Sequence, residues 1–211
     1  MWKSREEGEA LIRADLHVHT LFSPDSSIPP KTLVDMLLAH PYIKAVAVMD
    51  HNTVRGYFKV RELASAYPDI LVIPGVEVST TRGDILLLGI AEVPPQPWTV
   101  DNVIDFAHSM GGLVVAAHPY RAYGLGDAAR NYSIDAVEIL NGGCPRHLNS
   151  MAEELAREMR LPGVAGSDAH RVDELLTAYT EIQASTDLDE VLRAIKRGLV
   201  RVFHAGKSIH F

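Results

Sequence analysis

Alternation in DLHVHT puts His17 and His19 on the same side of an extended segment, with Asp15 ahead of them and Asp25 in the proline-containing loop that follows. Two neutral imidazoles on one face can turn nitrogen lone pairs toward one cation. A strand that only packs would carry Val or Ile there. The same residue types recur at the ends of short apolar runs: Asp50, His51 and Asn52 in MDHN, Glu77 in PGVEVS, His118 in AAHPY, Asn141 and Cys144 in ILNGGC, and Asp168 and His170 in GSDAH. Glu77 stands between valines, where a carboxylate is costly to bury unless opposite charge meets it. Mixed imidazole and carboxylate donors suit Zn, Mn or Fe, whereas Mg favours oxygen alone. Eight such ligands exceed what one ion can use, so two or three divalent ions are expected.

Asp15 and Asp50 read as support, each holding an imidazole through its other ring nitrogen, with Asp50 alternatively a helix cap. Five of the ten histidines follow the strand-end rule. His40, His108, His147, His204 and His210 do not. Arg121, three residues after His118, is a candidate phosphate clamp or a solvated charge; Arg55 and Arg146 are further candidates. Tyr57, Tyr120 and Tyr123 are candidates to stack a nucleobase.

The elements that must position these groups are strands at 12–18, 43–50, 70–79, 84–91, 112–118, 134–140, 162–167 and 179–184, with helical patterns at 30–40, 99–112, 145–160 and 187–198. In the last helix Asp187 with Glu190 three residues on is a capping signal. Near-continuous apolar strands separated by helices predict an α/β fold with a sheet buried on both faces, its strands mostly parallel. The 211 residues are too few for eight βα units. A compact or incomplete barrel of about seven strands fits, with an open doubly wound sheet as the alternative. In a parallel barrel the C-terminal strand ends carry the chemistry. One domain over 1–211 is expected.

Apolar content is 47% and charged content 22%, as in a soluble globular protein. No apolar run reaches the ~18 residues a membrane helix needs. The charged N-terminal stretch lacks the apolar core of a secretory signal. Cys144 is the single cysteine, so no internal disulfide forms, and a cytoplasmic setting is expected. A net charge of −7 argues against a surface built to grip long nucleic acid, although clustered cations would reverse the local field.

In combination and in order, DLHVHT, MDHN, GVE, AHP and GSDAH resemble the polymerase-and-histidinol-phosphatase (PHP) family of metal-dependent phosphoesterases, from residue 13 to about 184. The resemblance implies a distorted (β/α)7 barrel with the metal site at the C-terminal strand ends. It implies a first metal held by His17, His19, Glu77 and Asp168. Glu77 would bridge to a second ion held by His118 and one more ligand, and Asp25, His51 and His170 would hold a third. That further ligand, often His or Cys in the family, has no clear motif here; Asn141, Cys144 and His147 remain open. The implied activity is hydrolysis of a phosphomonoester or small nucleotide-like phosphate by a metal-bound hydroxide. Arg121 would balance phosphate charge and Asp168 would move a proton. The expected partner is a small phosphorylated substrate, with a nucleotide or short oligonucleotide included in that class, and neither a membrane nor long nucleic acid. An amidohydrolase-like enzyme is the alternative, set back by the lack of a lysine at a strand end. A non-catalytic metal-binding accessory module is the other.

Overall fold

The structure is a computed structural model and describes residues 10–205; His210 and the N-terminal stretch before Ala10 lie outside the described residues. In chain order the elements are β1 (Ile12–Val18), α1 (Pro30–Ala39), β2 (Ala45–Val48), α2 (Arg55–Ala64), β3 (Leu71–Ile73), β4 (Gly75–Ser79), β5 (Asp84–Leu88), α3 (Val100–Ser109), β6 (Leu113–Ala116), β7 (Ala136–Asn141), α4 (Arg146–Met159), β8 (Gly163–Gly166), β9 (Ala178–Ile182), α5 (Leu188–Lys196) and β10 (Val200–His204).

The strands form two five-stranded sheets, β10-β9-β1-β2-β3 and β4-β5-β6-β7-β8. Pro74 stands where the chain leaves the first sheet for the second; a residue without an N–H interrupts what the sequence suggests is one strand over 70–79. The sheets are mixed. β1–β2, β2–β3, β6–β7 and β7–β8 run parallel, while β4–β5, β5–β6, β1–β9 and β9–β10 run antiparallel. Only residues 80–83 join β4 to β5, far short of the dozen or so that a parallel crossover requires, so those strands must form a hairpin. Among the described residues ladder pairing does not run round a closed barrel. The sheets meet instead at two isolated bridges, Val18 with Ala169 and His51 with Glu77.

Those two seams position the chemistry. At the first, Asp168 N–H donates to the His17 carbonyl (2.7 Å) and His19 N–H to the Ala169 carbonyl (3.0 Å). At the second, Asn52 N–H donates to the Glu77 carbonyl (2.8 Å). β8 approaches β1 closely because Gly166 has no side chain; a Cβ there would sit 2.4 Å from His17 Cβ.

Below the seams, Leu16, Met49, Leu86, Leu88 and Val115 pack with Leu192 and Ile195 of α5. Each such side chain contributes about 1.5–3 kcal/mol of burial. Asp187 caps α5 by accepting from Glu190 N–H (2.9 Å), as its sequence predicts. α3 and α4 cover the second sheet, while α1 and α2 cover the first. Among the described residues no helix is long and apolar enough to cross a membrane.

Candidate metal centre

His17 and His19, two residues apart on β1 and just beyond it, turn Nε2 atoms to within 3.1 Å of each other. Glu77 Oε2 lies 3.2 Å from both. Asp168 Oδ1 lies 3.4 Å from His17 Nε2 and 3.3 Å from His19 Nε2. A tetrahedral ion with bonds of about 2.0–2.1 Å has ligand–ligand edges of about 3.3–3.4 Å. Five of the six edges of this four-atom cluster therefore fall within about 0.3 Å of what one ion imposes, and all four residues are buried.

The other ring nitrogens are already used. His17 Nδ1 meets Glu138 Oε1 at 2.9 Å. His19 Nδ1 meets Ser23 Oγ at 3.0 Å, and Ser23 donates its own proton to Asp50 Oδ1, leaving its oxygen to accept. His170 Nδ1 donates to the Asp168 carbonyl (2.9 Å). With Nδ1 carrying the proton in each ring, the Nε2 lone pairs are free to ligate.

Glu77 uses its oxygens separately. Oε2 serves the cluster above and lies 3.2 Å from His51 Nδ1, while Oε1 lies 3.1 Å from His118 Nε2. Asp25 Oδ2 lies 3.4 Å from His51 Nε2 and 3.4 Å from His170 Nε2, and the rings of His19, His51 and His170 bring ligating atoms within 4.8 Å of one another. Among the described residues the buried Nδ1 atoms of His51 and His118 make no hydrogen bond, that of His51 despite lying 3.2 Å from Glu77 Oε2. Three non-glycine residues at these strand ends have left-handed backbones: Asn52 (φ 57°), His118 (φ 25°) and Asp168 (φ 54°). Such conformations cost about 1–3 kcal/mol each and concentrate at functional sites.

The electrostatics suit a site that holds positive charge. Burial opposes charge on His19, yet hydrogen bonds to Asp168 and Glu77 overcome it and raise its pKa to about 9. His17 is likewise raised, with burial overcome by Asp168, Glu138 and Glu77. Burial would lift Glu77 and Asp168, but His17 and its neighbours hold both well below the ordinary carboxylate range. The acids require cations beside them, and the histidines supply protons where an ion would serve. Donor types, spacing and charge all fit divalent metals.

A PHP-associated family model matches residues 146–200. The uncharacterized protein MJ1587 of Methanocaldococcus jannaschii is 32% identical over 142 residues, covering 62% of this chain and 82% of that protein. The chain belongs to the PHP family. A two-domain protein from Bacteroides vulgatus containing a predicted PHP-like metal-dependent phosphoesterase superposes with a TM-score of 0.79 at 17% identity, covering 94% of this chain and 66% of that one. An amidohydrolase from Chromobacterium violaceum solved with bound sulfate and no metal gives 0.61 at 17% identity, covering 75% and 87%. Both likenesses concern the fold.

In this PHP chain the eight residues marked by the sequence as ligands converge. His17, His19, Glu77, His118 and Asp168 are buried, and Asp25, His51 and His170 line the open side. The two supporting aspartates act differently from expectation. Asp15 touches no imidazole; it accepts from the backbone N–H groups of His17 (3.3 Å), Ser167 (2.8 Å) and Leu176 (3.2 Å), tying β1 to the segments after β8. Burial pushes its carboxyl up to about 7. Asp50 is not the α2 cap, a place taken by Val54, and reaches His19 only through Ser23, also accepting from Thr20. The imidazole-holding carboxylate is Glu138, which sequence reasoning passed over. It is 1% exposed and also accepts from His118 N–H (2.8 Å) and Asn141 Nδ2 (3.0 Å). Its signal is a lone Glu in the apolar run AVEIL, the cue that marked Glu77.

Arg121 pairs with Asp168 through Oδ2, the oxygen turned away from the histidine pair, and its side chain is 42% exposed. It lines a cavity of about 610 Å³ with Asp25, Asp168, His170 and His204. Arg55 instead lies over the Phe22 ring, and Arg146 lines a neighbouring cavity of about 340 Å³. Tyr57 is packed in the core, Tyr120 donates to Asp127, and Tyr123 is exposed. Lys44 donates to the Leu37 and Leu38 carbonyls and Lys59 to Glu62, so neither is turned to the ligand cluster.

Proposed function

We propose that this PHP protein is a metal-dependent phosphoesterase that hydrolyses a phosphomonoester or a small nucleotide-like phosphate. The observation that carries the reading is the set of Nε2, Oε2 and Oδ1 atoms of His17, His19, Glu77 and Asp168 at tetrahedral-edge spacing. On this reading those four hold one ion, Glu77 and His118 take part in holding a second, and Asp25, His51 and His170 a third. Bound divalent ions supply Lewis acidity and a water of lowered pKa. The fold is read as a distorted (β/α)7 barrel whose wall is broken at the two seams, working as one cytoplasmic domain.

The chain's own residues then have defined tasks. Arg121, half exposed beside Asp168, presents spare guanidinium N–H groups to non-bridging phosphate oxygens. Asp168, held ionised by its neighbours, keeps one oxygen on the histidine side and one on the arginine side, a position from which it orients a water; so strongly held an anion is a poor proton acceptor. His170 and Asp25, at the cavity wall, are near the place where a leaving group departs. The cavity suits a small substrate better than duplex nucleic acid, and the net charge of −7 agrees.

The test is a panel of p-nitrophenyl phosphate, its diester, mononucleotides, 3′,5′-bisphosphates, short oligonucleotides and histidinol phosphate, each with Mn, Zn, Fe and Mg. Phosphate release that is lost in His17→Ala and Glu77→Gln, with folding intact, is expected. Hydrolysis confined to amides would replace this reading with the amidohydrolase one, and metal binding without turnover would make the chain an accessory module.

A further inference from the structure

The second ion of the proposed site has two evident protein donors, Glu77 Oε1 and His118, and the candidates after β7 do not complete it. Asn141 spends its amide donors on Glu138 (3.0 Å) and Asp168 (3.2 Å), and its oxygen accepts from Gly143 N–H (2.9 Å). Cys144 lines the neighbouring cavity and, among the described residues, joins none of the His and carboxylate groups whose ligating atoms lie within 4.8 Å of one another. His147 is exposed on α4.

The β4–β5 hairpin supplies another group. Ser79 pairs with Asp84 and Glu77 with Leu86, so these four residues share one face of the hairpin. Leu86 packs in the interior with Leu16, Met49 and Ala117, which identifies that face as the inner one. Asp84 is 7% exposed, and ligating atoms of Glu77, Asp84 and His118 lie within 4.8 Å of one another. Burial, then the nearby Glu77, pushes its carboxyl up to about 6, with Ser79, His118 and His17 acting the other way. Two buried carboxylates this close to one imidazole are costly as anions unless a cation lies among them. Among the described residues the buried Nδ1 of the adjoining His118 also makes no hydrogen bond.

We propose that Asp84 is the third protein ligand of the cation that shares Glu77 with the first site, in place of a donor after β7. This rests on the metal-dependent reading above. A set of two carboxylates and one imidazole is harder than one containing a second His or a thiolate, so this position favours Mn²⁺ or Fe²⁺ over Zn²⁺ more than the first does. Parallel strands would have put the start of β5 at the opposite end of the fold. The hairpin places it beside the end of β4, and so beside the other ligands.

The experiment is titration of the full metal-free chain with Mn²⁺ and Co²⁺ by calorimetry and elemental analysis, for wild type, Asp84→Asn, His118→Ala, Cys144→Ser and His17→Ala. Asp84→Asn and His118→Ala are expected to lose the same single equivalent. Alternatively, they weaken it by more than the roughly 10–100-fold that follows loss of an outer hydrogen-bond partner. Cys144→Ser keeps it, and the Co²⁺ spectrum shows no thiolate charge-transfer band. Should Asp84→Asn not fold, Asp84→Ser is read the same way. Wild-type stoichiometry and affinity in the Asp84 variant, with His17→Ala impaired, overturns the Asp84 assignment alone; so does loss of an equivalent in Cys144→Ser. A wild-type chain that takes up no metal overturns the metal-dependent reading with it.

Discussion

Glu138 Oε1 stands 2.9 Å from His17 Nδ1, across the space between β7 and β1, and leaves His17 only Nε2 to offer a cation. Its other oxygen accepts from His118 N–H and Asn141 Nδ2, so one carboxylate positions groups on both sides of Glu77. Glu138→Gln has a single acceptor oxygen for these donors, and its amide N–H₂ must face another N–H. We expect metal affinity to fall roughly 10–100-fold and stability by about 1–3 kcal/mol. Chelator competition measures the first and urea unfolding the second. Unchanged affinity would remove Glu138 from the account.

Metal binding should release protons. His19 is raised from 6.5 to about 9 in the metal-free fold, and His17 is raised too, yet both must be neutral to ligate. Below pH 9, affinity is therefore expected to rise about tenfold per pH unit for each proton displaced. The sign for the metal-free fold is opposite. A raised histidine pKa contributes stability that is complete below 6.5 and lost as pH rises through 9. Calorimetry in buffers of different ionisation enthalpy counts the protons, and melting temperatures from pH 6 to 10, with and without Mn²⁺, follow both trends.

Asp15→Asn separates architecture from ligation. The aspartate accepts three backbone N–H groups, one of them from Leu176 through Oδ2. An asparagine must turn its N–H₂ toward at least one of these donors. The expected result is about 1–3 kcal/mol of destabilisation with metal stoichiometry retained, read by denaturant unfolding and elemental analysis. Loss of one equivalent without loss of stability would make Asp15 a ligand after all.

Gly166→Ala tests the seam between β1 and β8. The new methyl group would lie 2.4 Å from His17 Cβ and 2.5 Å from His17 N, and backbone atoms cannot move aside as a flexible side-chain tip can. Relief requires the strands to separate, at about 1–3 kcal/mol. Since His17 and Asp168 sit on opposite sides of that seam, the affinity of the first ion should fall together with the melting temperature. Wild-type values for both would show that the strands are not held together there.

The convergence of His17, His19, Glu77, His118 and Asp168 was legible because each ends, or nearly ends, a short apolar run, and Pro, Gly and loop residues mark those ends. Strand direction was not legible from apolar content, since a strand buried on both faces looks the same in either sense. The four-residue connection at 80–83 carries that information, and overlooking it hid Asp84. Glu138 lies inside β7 as Glu77 lies inside β4, and the lone acid in AVEIL carries the same cue; a reading confined to the end of that run, at Asn141 and Cys144, passes over it. Asp15 and Asp50 were recognised as supporting groups, but a sequence does not say whether a carboxylate will meet an imidazole or a backbone N–H. The last strand, Val200–His204, was overlooked because it pairs with β9 alone at a sheet edge and its residues are only half buried.

Anomalous scattering from crystals grown with Mn²⁺ tests the central claim most directly. A peak about 2.0–2.3 Å from His17 Nε2, His19 Nε2, Glu77 Oε2 and Asp168 Oδ1 together is expected. Data in which these four atoms are fully occupied by protein order, with no anomalous peak among them and ions only elsewhere on the surface, would contradict it.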